Sequence, residues 1–463
     1  MKISKKFIPL LIFFLLSSCA SLVDKNKPNP LYDDICNKLK FLSFCDEIPY
    51  VEKIEIYDLQ NVDSVDDECS LVYLEEKIEQ NMELSYEEKI SYYSSFDTSC
   101  LKEVIEYSDK TYLKKYSFCC SFFNTKNSGQ KSFAYFALHE DNLILSLGSG
   151  EFSYFSYQDL LLDLPINVSH IESNFREIVT DEEIYNPGWF SVKDILIEDD
   201  LLLISYTKEV EENCYNTSIL KADFNYNFLE FREFFTSDEC INTNNKPSFS
   251  GHSSGGKISN AGNDNYILTT GEFLKRQRAQ DKFSILGKTL VIDKNGKKIK
   301  NASIGHRNPQ GLVYSGIESK FLLTEHGPLG GDEINVIDVT KEDINYGWPI
   351  SSYGEHYGNI EIENAPLYKS HSIYGFHEPI YFFNPSIGIS AIDIGKDNNV
   401  YFLASLNNRS LYKIGFNSDL TKPEMLKNYP VRERIRDLIF IKDIKLHVLS
   451  FEDTPYIGVF IDN

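Results

Sequence analysis

The chain has 463 residues, 42% of them hydrophobic, and a formal net charge of −23. That excess of acid argues against a nucleic-acid partner, which selects basic stripes, and against a polybasic membrane-surface site. The length admits several ordinary domains, or one large β domain with an extension.

The N-terminus reads as an address. "MKISKK" is a basic n-region, and "FIPLLIFFLL" is too short to span a bilayer comfortably. "LSSC", Leu16 to Cys19, resembles the lipobox of bacterial lipoproteins. The resemblance implies cleavage before Cys19 and lipidation of its sulfur. It also implies export and, with Ala20 following, an outer-membrane location facing the periplasm. Residues 1–18 are then a signal peptide and 19–30 a lipidated tether.

Residues 31–120 are rich in glutamate. The stretch "LVYLEEKIEQNMELSYEEKISYY" has helical spacing, so this segment is expected to be a partly helical, cysteine-bearing extension. Eight cysteines lie beyond Cys19: Cys36, Cys45, Cys69, Cys100, Cys119, Cys120, Cys214 and Cys240. An even number in an exported chain predicts disulfides. Cys214 with Cys240 is the favoured pair, because both stand in a stretch otherwise free of cysteine. None of the cysteines has zinc-site spacing.

From about residue 125 short apolar runs take over. "NLILS" ends at Ser146, "LLLIS" at Ser205, "NYILT" at Thr269, "KFLLT" at Thr324, "VYFLA" at Ala404 and "LHVLS" at Ser450. Four short strands and their turns need roughly 40–50 residues per propeller blade, more with insertions. Six such runs predict an all-β, six-bladed β-propeller over 125–463; hairpins of a β-sandwich would also produce them. Three polar clusters flank the middle runs: "GHSSGGKI" (251–258), "GHRNPQGL" (305–312) and "TEHGPLGGDEIN" (324–335). Only a closed ring would bring them to one mouth.

These clusters, followed by "NYGWPISSYGEHY" and "RIRD", resemble the glucose/sorbosone dehydrogenase family, closely over 250–360 and more weakly beyond. The resemblance implies a six-bladed propeller that binds calcium and pyrroloquinoline quinone (PQQ). It implies a sugar substrate oxidised at its anomeric carbon, and an external electron acceptor. The carbonyls of Gly327 and Pro328 would hold the calcium at PQQ, where a hard cation takes oxygen ligands. Glu333 and the Tyr346 backbone would serve a second, structural calcium. Arg307 and Asn308 would hold PQQ, the arginine placed to stabilise oxyanion charge. Arg434 and Arg436, alternate residues that share a strand face, would grip its carboxylates. His252 would be the catalytic base, since an imidazole titrates near working pH. Two departures stand out. Asn407 occupies the place of a family lysine, and "LSLGSGEF" near the first run does not match the family's substrate-side glutamine context. A non-catalytic, calcium-containing propeller that binds glycans or a protein partner is the alternative reading.

Overall fold

The computed structural model describes residues 99–108, 110–118, 133–161, 166, 168–180, 192–243, 251–358, 360–454 and 456–462. The proposed leader, the Cys19 anchor, the tether and the helical stretch at 71–93 lie outside them.

The first described element is a hairpin, β1 (Ser99–Ser108) and β2 (Thr111–Phe118). Blade 1 follows as β3 (Ala134–His139), β4 (Asn142–Leu147), β5 (Phe152–Ser156) and β6 (Ser169–Ser173). Blade 2 comprises β7 (Val192–Glu198), β8 (Leu201–Glu211), β9 (Cys214–Asp223) and β11 (Arg232–Phe235). The short β10 (Phe228–Leu229) returns to pair with β6, and β12 (Ile241–Asn242) pairs with β9. Blade 3 is β13 (Gly255–Gly262), β14 (Asn265–Thr270), β15 (Lys288–Asp293) and β16 (Lys298–Ile304). Blade 4 is β17 (Pro309–Tyr314), β18 (Lys320–Glu325) and β19 (Asp332–Asp338). A short strand from its long insertion, β20 (Ile344–Asn345), joins the edge of blade 3, and β21 (Tyr381–Phe383) completes blade 4. Blade 5 is β22 (Ile389–Ile394), β23 (Val400–Ser405), β24 (Ser410–Phe416) and β25 (Pro423–Pro430). Blade 6 is β26 (Ile435–Ile441), β27 (Leu446–Phe451) and β28 (Tyr456–Asp462), extended by β2 and then β1.

The first strands of successive blades touch in the order β3, β7, β13, β17, β22, β26 and back to β3, which closes a six-bladed ring. The six apolar runs are its second strands, β4, β8, β14, β18, β23 and β27. Each is buried on both faces between neighbouring blades, as Leu143, Ile144 and Leu145 illustrate. A strand covered on both sides reads as a continuous apolar run rather than an alternation.

The expected boundary at 125 is too late. β2 pairs antiparallel with β28 over Thr111–Ser117, so residues assigned to an outlying extension are the outer strands of blade 6. Their pattern hid them. In β2 the inward positions are Thr111, Leu113 and Lys115, and the buried lysine breaks the apolar alternation. Lys115 is instead paired with Glu103 at 2.9 Å and Glu433 at 3.6 Å.

Near the axis the blades are latched through carboxylates. Asp194 of β7 accepts the Ile258 amide of β13 at 2.8 Å, and Asp437 of β26 accepts the Phe136 amide of β3 at 3.1 Å. Lys257 lies between the two acids, 2.8 Å from each. On the outer side of blade 2, Cys214 and Cys240 form the expected disulfide, bridging the start of β9 to the segment that leads into β12.

Candidate active site

First strands begin at one mouth of the ring, so the loops entering them and the loops joining second to third strands share that mouth. The segment leading into β13 is tightly bent. Gly251, Gly255 and Gly256 have φ of 67°, 66° and 122°, and Ser253 is left-handed as well at 59°. Glycine adopts these values freely, whereas serine is held there at a cost. The bend presents His252 on the accessible surface of the mouth. Partial burial, then the nearby charges of Lys193 and Arg307, hold its imidazole below its ordinary pKa.

The loop into β17 meets that segment directly. Asn308 Oδ1 accepts the Gly255 amide at 3.2 Å, and the Arg307 carbonyl accepts the Glu272 amide at 3.0 Å. Arg307 is fixed from three sides. Its amide donates to Glu325 Oε2 at 2.8 Å, its Nη1 donates to the His326 carbonyl at 3.1 Å, and its guanidinium lies 5.5 Å from the centre of the Trp348 ring. His306 is fully buried, with Nδ1 2.7 Å from Glu325 Oε1 and Nε2 2.6 Å from Ser303 Oγ. It braces the loop and does not face the mouth.

The third cluster joins β18 to β19. Gly327 donates its amide to Asp332 Oδ1 at 3.0 Å, while Asp332 Oδ2 accepts the amides of Gly388 and Ile389. Asp332 therefore pins the loop through three backbone amides. The loop is so closely folded that a Cβ on Gly327 would stand 2.2 Å from the Gly331 carbonyl oxygen. Among the described residues the Pro328 carbonyl accepts one hydrogen bond, from Ser386 Oγ at 3.1 Å, which leaves a lone pair available. This crowding of main-chain oxygens fits a calcium held by Gly327 and Pro328.

The second calcium position fits less well. Glu333 and the Tyr346 carbonyl do converge, but on one imidazole. His371 Nδ1 is 2.8 Å from Tyr346 O, and His371 Nε2 is 3.2 Å from Glu333 Oε1, off the line of a hydrogen bond. An ion there would have to part these oxygens from His371.

Arg434 and Arg436 share a side of the chain, as their spacing predicts, and they do meet one anion. It is the buried carboxylate of Glu452: Arg434 Nη2 lies 3.2 Å from Oε1, and Arg436 Nη2 meets Oε2. Glu452 takes only one edge of each guanidinium. The Nε of both arginines is buried without a hydrogen-bond partner among the described residues, as is Trp348 Nε1. Orphaned donors in a mouth are the mark of a site built for a polar, anionic occupant. Asn407 lies in the β23–β24 loop with its amide group 3.4 Å from the Ser386 carbonyl.

Glu272 escaped the sequence reading. It is buried beside Arg307 and Ser253, and burial pushes its carboxyl up to about 7 against the opposing pull of Arg307 and Arg276. Glu272 follows the third apolar run by three residues where Glu325 follows the fourth by one, so no shared spacing marks it.

A family model described as Glucose / Sorbosone dehydrogenase matches residues 191–455, from the entry of β7 to the entry of β28. The chain belongs to the glucose/sorbosone dehydrogenase family. Aldose sugar dehydrogenase YliI of Escherichia coli (strain K12) is 27% identical over 300 residues, covering 59% of this chain and 77% of that protein. Quinoprotein glucose dehydrogenase B of Acinetobacter calcoaceticus is 34% identical over a shorter 91 residues, 17% of this chain and 18% of its own. The crystal structure of the soluble aldose sugar dehydrogenase from Escherichia coli superposes with a TM-score of 0.59 at 19% identity, over 71% of this chain and 95% of that one. The PQQ-bound aldose sugar dehydrogenase of Streptomyces coelicolor gives 0.53 at 17% identity, over 74% and 97%. At these identities the two structures speak for the shared propeller fold, and the family model for membership.

Proposed function

We propose that this family member is an exported, PQQ- and calcium-dependent aldose dehydrogenase that oxidises the anomeric carbon of a sugar. The observation that carries the reading is that His252, Arg307, the Arg434–Arg436 pair and the oxygen-rich loop 327–331 all stand on loops or strand starts at one mouth of the ring. PQQ, when bound, supplies a quinone that accepts hydride. Gly327 and Pro328 would hold its calcium, and the Nε groups of Arg434 and Arg436, unpartnered among the described residues, would meet its carboxylates while Glu452 and Gln310 hold Arg436 from its other sides. Arg307 would face developing oxyanion charge, its position fixed by Glu325, His326 and Trp348.

His252 is the base. It takes the proton of the anomeric hydroxyl as the hydrogen on that carbon leaves as hydride, so the sugar becomes a lactone. An external acceptor would take the two electrons. Adding calcium and PQQ to the metal-free protein and recording the visible spectrum with candidate aldoses tests the reading. Reduction of the quinone by sugar supports it. PQQ binding without reduction by any aldose would sink it, and a chain that binds no PQQ would instead be a calcium-containing propeller for glycans or a protein, a reading that Asn407 favours.

The lipobox-like segment extends the proposal to export and anchoring through Cys19. Labelled palmitate should enter the wild-type chain and not Cys19→Ser; equal labelling of both would remove the anchor.

A further inference from the structure

Blades 2 and 6 open in the same way. β7 begins Val192-Lys193-Asp194 and β26 begins Ile435-Arg436-Asp437, and in each the pairing with the second strand slips across the middle residue. A bulge takes one residue out of the ladder and re-aims its side chain. In both blades the next residue is the aspartate that latches the following blade and faces Lys257. Lys193 and Arg436 therefore hold equivalent register positions in their blades, and both have basic side chains.

The path of the lysine is visible in its neighbour. A Cβ on Gly256 would stand 2.2 Å from Lys193 Cβ and 2.9 Å from its Cγ, so the bare backbone there is what lets the stem cross into blade 3. Gly256 belongs to the segment that carries His252, and the charge of Lys193 acts on that imidazole. Burial, then the charge of Arg436, lower the lysine's own ammonium to about 7. Arg436 is met by Glu452, and an anion entering beside Lys193 favours its ammonium over the burial and the remaining repulsion that lower it.

We propose that Lys193 is an anion-holding residue of this mouth, the counterpart of Arg436 on the other side of blade 1, and that it grips a carboxylate of the quinone cofactor. The assignment rests on the PQQ reading above. It also supplies, from blade 2, a charge comparable to the one that Asn407 does not provide from blade 5.

The test measures equilibrium PQQ affinity in the full chain with saturating calcium and no sugar, from quenching of tryptophan fluorescence. Lys193→Met should weaken PQQ binding about 10- to 100-fold, the range for losing one charge-assisted contact. Lys193→Arg should stay within about threefold, since the charge is kept. The gap between wild type and Lys193→Met should narrow as salt is raised. The cofactor-free melting temperature of Lys193→Met should not fall; if that variant does not fold, Lys193→Gln takes its place in the same comparison. Wild type binding PQQ while the neutral variant binds equally well overturns the role of Lys193 alone. Wild type that binds no PQQ overturns the cofactor reading and this assignment together.

Discussion

Asp437, in the first strand of the last blade, accepts the backbone amide of Phe136, in the first strand of the first blade, at 3.1 Å. The seam of the ring is thus closed near the axis by one carboxylate. Lys257 compensates its charge together with that of Asp194. Removing the cation leaves two buried acids facing each other. Lys257→Met should destabilise the propeller by about 3–5 kcal/mol in denaturant unfolding, and adding Asp437→Asn should recover part of the loss. Additive losses in that pair would deny the coupling.

A chain begun at residue 125 should fold poorly. It lacks β1 and β2 and bares the full edge of β28, together with the apolar faces that Leu113 and Tyr116 cover. Size-exclusion profiles and thermal melts should show aggregation or a much lower transition than the full chain. An equally stable truncation would mean that the hairpin is ornamental.

His252→Ala should leave PQQ bound while slowing its reduction by sugar about 10²- to 10⁴-fold. The pH profile gives an independent check. A base must be unprotonated to act, and burial with Lys193 and Arg307 holds His252 below 6.5. The acid limb of kcat/KM should therefore lie below that value, and activity should fall only as pH drops through the lowered pKa.

Arg434→Ala should raise the PQQ concentration needed for half-saturation with little change in the rate at saturation, because it removes a carboxylate partner and not a proton acceptor. A fall in the saturated rate with unchanged PQQ affinity would move Arg434 from holding the cofactor to the chemistry.

The Cys214–Cys240 bridge closes a loop of 26 residues in separation. Its replacement by two serines should lower stability by about 3 kcal/mol, read from the denaturation midpoint of oxidised wild type against the variant.

The ring was legible because its most buried strands are its most apolar ones. "NLILS" and its five counterparts mark the second strand of every blade, where both faces are covered. The mouth was legible where glycine and proline punctuate polar residues, as in "GHSSGG" and "HGPLGG". What stayed hidden were residues whose meaning comes from a neighbour far along the chain. Glu452 is an unremarkable acid until Arg434 and Arg436 turn towards it, and Glu272 becomes part of the site through Arg307. Lys193 carries no motif, only the place it shares with Arg436 in the ring. The hairpin was hidden by Lys115, whose charge at an inward position is satisfied by Glu103 and Glu433.

The pairing of β2 with β28 also has a bearing on how the protein is made. Thr111 Oγ1 bonds Asp462 Oδ1 across a sequence separation of 351 residues, so this hairpin, the first among the described residues to leave the ribosome, finds its partner only in the last described strand. Until then β2 presents an open row of amides and carbonyls, the kind of edge that recruits foreign strands. Chaperone demand during synthesis should therefore concentrate on this hairpin, and it should end when the last blade is released.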